Sequence, residues 1–164
     1  SGDRSRETLF NWVGPSIQGS RCLDLFAGTG VLGLEAVSRG ASSATLVDRS
    51  GQAVDRIREQ IREWPKRDGV ELVKADALQW LPRQNASYDL IFIDPPHGQG
   101  LQIRALELLV EEHLLAAHSR VCVEHGVQED WAGAHRSWLE THFQQLKSAR
   151  FGQVELGLYG PSTV

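Results

Sequence analysis

The stretch that most restricts the fold is 21–33. An apolar run, Arg21-Cys22-Leu23-Asp24-Leu25-Phe26, passes through Ala27-Gly28-Thr29-Gly30 into a helical pattern that starts at Val31. Glycines let a chain leave a strand in a sharp turn, and a strand followed at once by a helix is the opening of a parallel sheet with crossovers. The remaining sequence repeats the alternation. Strands are expected at 21–26, 44–48, 70–75, 88–93 and 120–124. Helices are expected at 4–17 (broken near Gly14-Pro15), 31–39, 52–64, 77–81 (closed by Pro82) and 101–115. No element is assigned between 125 and 146. Near the end, 147–151 and 154–159 flank Gly152-Gln153, which reads as a hairpin. The expected architecture is a mostly parallel seven-stranded sheet with an antiparallel terminal strand and helices on both faces.

Composition sets outer limits. A chain of 164 residues, 41% hydrophobic and 23% charged, suits one globular domain. No run approaches the roughly 20 apolar residues of a membrane span, and no secretory signal is visible, so the cytoplasm is the expected compartment. The sequence holds no methionine, which predicts a fragment or processed product with a segment missing before Ser1. Cys22 and Cys122 lie alone in apolar runs and read as small buried hydrophobes, not metal ligands. His113, His118, His125, His135 and His142 share no spacing that would gather them on one face, and no metal is expected. Trp131 and Trp138 are expected to pack, while Glu111-Glu112 and Glu129-Asp130 read as solvated charge. The net charge of −4 disfavours gripping nucleic acid by bulk electrostatics, so such binding needs a local basic patch.

Gly28, Gly30 and Gly33 match G-x-G-x-x-G, a pattern shared by nicotinamide enzymes and methyltransferases. In either, the helix N-terminus offers N–H groups to the polar end of the ligand: a pyrophosphate, or the carboxylate of a methionine moiety. The acidic residues favour the second. Asp24, before the loop, can take an ammonium directly or through water and would be a poor neighbour for pyrophosphate. Asp48, followed by Arg49, can accept two ribose hydroxyls. Asp76 with Ala77 can meet an adenine amine with a carboxylate and a backbone N–H. The structural alternative for Asp24 and Asp76 is helix capping or a solvated strand end.

Asp94-Pro95-Pro96-His97 ends the fourth strand. The prolines could simply stop that strand. Beside a ligand crevice, the Asp94 carboxylate and Pro95 carbonyl can instead accept the hydrogens of a planar exocyclic amine and aim its lone pair at a methyl group. This turn is similar to the (Asn/Asp)-Pro-Pro-(aromatic) loop of amino-methyltransferases. Together with 3–12 (DRSRETLFNW), 23–40 (LDLFAGTGVLGLEAVSRG) and 150–154 (RFGQV), it resembles the bacterial 16S rRNA guanine-N2-methyltransferases of the RsmD family over nearly the whole chain.

The resemblance implies a class I, Rossmann-like methyltransferase fold as a single domain, 1–17 forming a leading helix region and 18–164 the core. It implies S-adenosylmethionine as donor and a guanine of small-subunit rRNA as acceptor; a monomer is expected. It carries Asp24, Phe26, Ala27, Gly28, Thr29 and Gly30 to the methionine and ribose region, Asp48 and Arg49 to the ribose, and Asp76 and Ala77 to the adenine. Asp94, Pro95 and Pro96 would hold the target amine. Arg4, Arg6, Glu7 and Asn11 match a helix near the donor site, or else form a solvated face. Two departures stand out. His97 replaces the usual Phe or Tyr and could stack on the base or face solvent. The sequence starts almost at the leading helix, where the family usually has a preceding basic hairpin; a protein without that arm is expected to bind RNA poorly. DNA adenine-N6 or protein glutamine methylation, a nicotinamide-binding domain and a non-catalytic donor-binding remnant remain as alternatives.

Overall fold

Helix and strand alternate through the computed structural model, which describes residues 2–96 and 98–162. Helix α1 (Asp3–Val13) runs into a 3₁₀ turn (Gly14–Ile17) and is followed by β1 (Arg21–Asp24), α2 (Val31–Ser38), β2 (Ser43–Asp48) and α3 (Gly51–Gln60). Then come β3 (Val70–Lys74), α4 (Ala77–Trp80), β4 (Tyr88–Ile93), α5 (Leu101–Glu111) and β5 (Leu115–Gly126). The chain closes with α6 (Arg136–His142), β6 (Phe143–Phe151) and β7 (Val154–Pro161). The strands form one sheet in the order β3-β2-β1-β4-β5-β7-β6. The first five are parallel, and β7 runs antiparallel to both β5 and β6. The order reverses between β1 and β4, where an open α/β sheet leaves a crevice at its carboxyl edge.

Alternation along the central strands feeds two apolar layers. Leu23, Val47, Ile91, Ile93, Val121 and Val123 face the layer that holds the buried side of α5. Cys22, Ala44, Leu46, Leu90, Phe92 and Cys122 face the layer built with α1, α2 and α3. Burying each large aliphatic or aromatic side chain there contributes about 1.5–3 kcal/mol. Helix α1 is part of this second layer. Leu9 and Phe10 are buried, and the Phe10 ring lies 6.0 Å from that of Phe92. The leading helix is therefore fixed directly behind β4, the strand that leads to Asp94.

Several boundaries differ from the sequence expectation. β1 stops at Asp24 because the chain turns there; Leu25 and Ala27 still donate N–H bonds to Phe92 and Val47. Residues 61–64 form turns after α3, and Pro82 lies within a 3₁₀ turn (Leu81–Arg83) that continues α4 rather than stopping it. Helix α5 ends at Glu111 in a Schellman motif, in which Leu114 N–H reaches Leu109 O (3.0 Å) and His113 N–H reaches Val110 O (3.1 Å). The left-handed residue there is His113 (φ 56°) rather than glycine, so the sequence carries no stop signal. β5 begins at Leu115, ahead of an irregularity spanned by Ser119, whose hydroxyl donates to Tyr88 O (2.6 Å) and accepts from Ala116 N–H. Helix α6 was not expected. β6 is an edge strand with mostly exposed residues, so its first half lacks the alternation that marks a strand.

Gly33 allows α2 to lie close on β2, since a Cβ there would sit 2.5 Å from Leu46 Cδ1 and 2.8 Å from Cγ. Gly33→Ala should destabilise the protein by about 1–3 kcal/mol, as overpacking does. Chemical denaturation should find part of that loss recovered when Leu46→Val makes room.

Candidate active site

Carboxyl groups crowd the carboxyl edge of three adjacent strands. β1 ends on Asp24, Asp94 follows β4, and Glu124 stands near the end of β5. Asp24 pairs with Phe92 across β1–β4, and Ile93 pairs with Val123 across β4–β5, so Asp94 and Glu124 are the next residues on neighbouring strands. Their side chains are hydrogen-bonded to each other.

Asp24 is only 2% exposed and does not line the cleft described below. Its Oδ2 accepts the Gly33 N–H (3.1 Å) in the first turn of α2, so it caps that helix. Burial pushes its acid up to about 7; the Gly33 N–H opposes this, and the charges of Asp94 and Asp48 add to it. Glu124 is 5% exposed. Burial first, then the hydrogen bond and charge of Asp94, push its acid up to about 8, so it is largely protonated at neutral pH. Burial and the same row of carboxylates hold the Cys122 thiol well above its ordinary value.

In front of this row lies a cleft of about 1160 Å³. One end is lined by Phe26, Gly28, Asp48, Arg49, Asp76 and Ala77, and the other by Asp94, Pro95, Pro96 and Glu124. Asp48 is held rigidly, since its Oδ2 accepts Gly28 N–H (2.8 Å) and its Oδ1 accepts Ser50 N–H (2.9 Å). Gly28 takes φ 58° and meets only open space where a Cβ would be, so backbone borders the cleft. Asp76 both lines the cleft and caps α4 through Leu78 N–H (2.9 Å). Ala27 and Gly30 are buried, Thr29 is exposed, and none of the three lines the cleft. His97 lies outside the described residues.

Elements far apart in sequence close the remaining side. The Arg4 guanidinium lies 5.8 Å from the centre of the Phe151 ring, and both residues line the cleft. Arg6 borders a void of about 10 Å³ shared with Asp94, Glu124 and Cys122, and its guanidinium is bonded to Asp3. Glu7 and Asn11 are exposed and border neither space. Glu129 is not the solvated charge its sequence context suggests: its carboxylate accepts from Gly98 N–H (3.1 Å) and Gly126 N–H (3.2 Å), tying the loop after Asp94 to the end of β5. Glu124, Glu129 and Phe151 are the site-forming residues that sequence reading missed. The only signal for Glu124 was its position at a strand end. Among the described residues no group of three or more His, Cys, Asp or Glu could hold a metal ion.

The switch point between β1 and β4, the glycine turn and the Asp-Pro-Pro turn on one cleft define a class I, Rossmann-like methyltransferase. A family model described as "Conserved hypothetical protein 95" matches residues 1–160. Ribosomal RNA small subunit methyltransferase D of Escherichia coli strain K12 is 34% identical over 157 residues, 96% of this chain and 76% of that protein. The enzyme of the same name from Buchnera aphidicola (Acyrthosiphon pisum) is 41% identical over 120 residues, 73% of this chain and 62% of its own length. The solved structure of Escherichia coli yhhF, described as a methyltransferase, superposes with TM-score 0.88 at 32% identity, covering 100% of this chain and 88% of that one. HI0767 of Haemophilus influenzae, described as a methylase, gives 0.82 at 31% identity, covering 96% of each. The chain belongs to this RsmD methyltransferase family.

The raised acid of Asp24 has a cost in the ligand-free protein. Between its unfolded value, near 4, and about 7, the folded state holds a proton that the unfolded chain has released, so stability falls as pH rises through that window. Asp24→Asn keeps an acceptor for Gly33 N–H and removes the titration. Its stability relative to wild type should rise across that window, by about 1.4 kcal/mol per pKa unit of difference, and level off above it. Thermal melts at stepped pH check this; a difference independent of pH would contradict it.

Proposed function

We propose that the chain transfers a methyl group from S-adenosylmethionine to the exocyclic N2 amine of a guanine in small-subunit (16S) rRNA. The observation that carries this reading is the single cleft in which rigid Asp48 and Asp76 at one end face the Asp94-Pro95-Pro96 turn at the other. The cleft, about 1160 Å³, has room for an adenosyl ligand at the first end and a planar base at the second. Family membership and the leading helix that walls the cleft support rRNA as the acceptor.

The residues fit this donor. Asp48 keeps lone pairs for the ribose hydroxyls beyond its two backbone bonds, and Asp76 with Ala77 reaches the adenine edge. Backbone at Gly28 leaves room for the chain between them. Asp24, with Ala27, Thr29 and Gly30, acts on the methionine end from behind the wall, where a carboxyl poised near neutrality can ionise toward an ammonium. When bound, the donor supplies an electrophilic methyl group on a sulfonium sulfur.

Asp94 and the Pro95 carbonyl accept the two amine hydrogens and point the nitrogen lone pair along the line of attack. The two prolines fix these acceptors at small entropic cost. As the N–C bond forms, positive charge grows on nitrogen and both acceptors bind more tightly, which is the origin of the rate gain. The nitrogen then sheds one proton to the Asp94 carboxylate, from which water removes it. We assign His97, next in the sequence, to stacking on the base. We read 1–164 as one methyltransferase domain, monomeric and cytoplasmic. No helix of the described residues is long and apolar enough to cross a membrane.

Asp94→Ala should keep binding S-adenosylhomocysteine within a few-fold of wild type while losing transfer by roughly a hundredfold or more. Asp48→Ala should show the reverse emphasis, with donor affinity falling first. Labelled transfer to small-subunit particles, naked rRNA, DNA and release factor, with the product nucleoside identified, reads the acceptor. Methyl found on adenine N6 or glutamine alone would overturn the guanine assignment.

A further inference from the structure

We infer that Glu124 is a positioning residue which, as a neutral acid, donates a hydrogen bond to Asp94 and holds that carboxylate in line with the amine to be methylated. The inference rests on the reading of Asp94 as the acceptor for that amine. The strand register places the two residues side by side, and Glu124 borders both the cleft and the small void behind it. Its backbone is fixed from both sides. Leu156 of β7 pairs with it, and fully buried Gln102 of α5 donates Nε2–H to its carbonyl (3.2 Å).

Two ionised carboxylates in so little solvent would repel each other, whereas one proton between them gives a bonded pair with a single charge. The carboxyl groups around Glu124 act in the same sense, and the Arg6 guanidinium opposes them. Asp94 faces it from the end of β4, and Asp24 stands beyond on β1. The Cys122 thiol, kept protonated by burial, lies on its own strand, and Arg6 approaches across the void from α1. Burial and Asp94 together push the Glu124 acid up to about 8, so the proton is in place across the neutral range. One Asp94 oxygen thus takes the Glu124 proton, and the amine is assigned to the other. The shared proton stays in the pair during transfer; the amine's proton leaves through the second Asp94 oxygen to water.

The test compares wild type, Glu124→Ala and Glu124→Gln in the full chain, with kcat and KM measured from neutral to alkaline pH. Glu124→Ala should lower kcat by roughly tenfold to a hundredfold with little change in the KM for donor, as misalignment does. Glu124→Gln retains an N–H donor and should recover most of that loss. Wild-type kcat should fall as pH rises through the Glu124 titration, and the glutamine variant should lack that fall. An alanine variant with wild-type kcat, or the same alkaline fall in the glutamine variant, would overturn the inference. Carbon-13 NMR of the Glu124 carboxyl tests the pair without turnover, because Asp94→Asn should lower its titration midpoint. An unmoved midpoint would refute the pairing, whereas failure of wild type to methylate guanine would refute only the functional reading.

Discussion

Like charge gathered at the carboxyl edge of a parallel sheet governs this protein. Because β1, β4 and β5 all point the same way, whatever follows each strand converges on one edge, and here Asp24, Asp94 and Glu124 occupy it. A folded domain is stable by only about 5–15 kcal/mol, so three buried or half-buried negative charges in a row would be a large burden. The chain relieves it in two ways. Asp24 sits on the N-terminus of α2, whose free N–H groups favour an anion, and both Asp24 and Glu124 hold a proton far above the usual carboxyl range. The edge is thereby prepared for positive charge, such as the ammonium and sulfonium of the proposed donor.

The leading helix belongs to the same arrangement. Phe10 packs on Phe92, so α1 is fixed to the strand that delivers Asp94, and Arg4 reaches Phe151 to join the chain's first helix to its final hairpin. Arg6 borders the void behind the acid pair. A helix that reads as a peripheral leader thus forms part of the site wall.

Much of the fold was legible because each central strand is apolar on both faces and the crossover helices α3 and α5 are amphipathic. The parallel core, its order of elements and the terminal hairpin follow from that periodicity. What escaped had weak local signals. Helix α5 stops at a left-handed histidine instead of a glycine, α6 spans seven residues, and β6 lies at an exposed edge. Within the site, Asp48, Asp76, Asp94 and Gly28 could be read from their positions at strand ends. Asp24 could be recognised but not its burial, because a strand end looks solvated in one dimension. Glu124 and Glu129 reach the Asp94 loop through partners 30 and 31 residues away, which pairing and loop closure reveal.

The central claim is that this acidic edge is held partly protonated until a cation reaches it. Calorimetric titration of the full chain with S-adenosylmethionine near neutral pH, repeated in buffers of differing ionisation heat, tests it directly. Binding should release protons, as the ligand's positive charge draws Asp24 toward ionisation, and the observed heat should therefore depend on the buffer. A binding heat that is the same in every buffer would contradict the account.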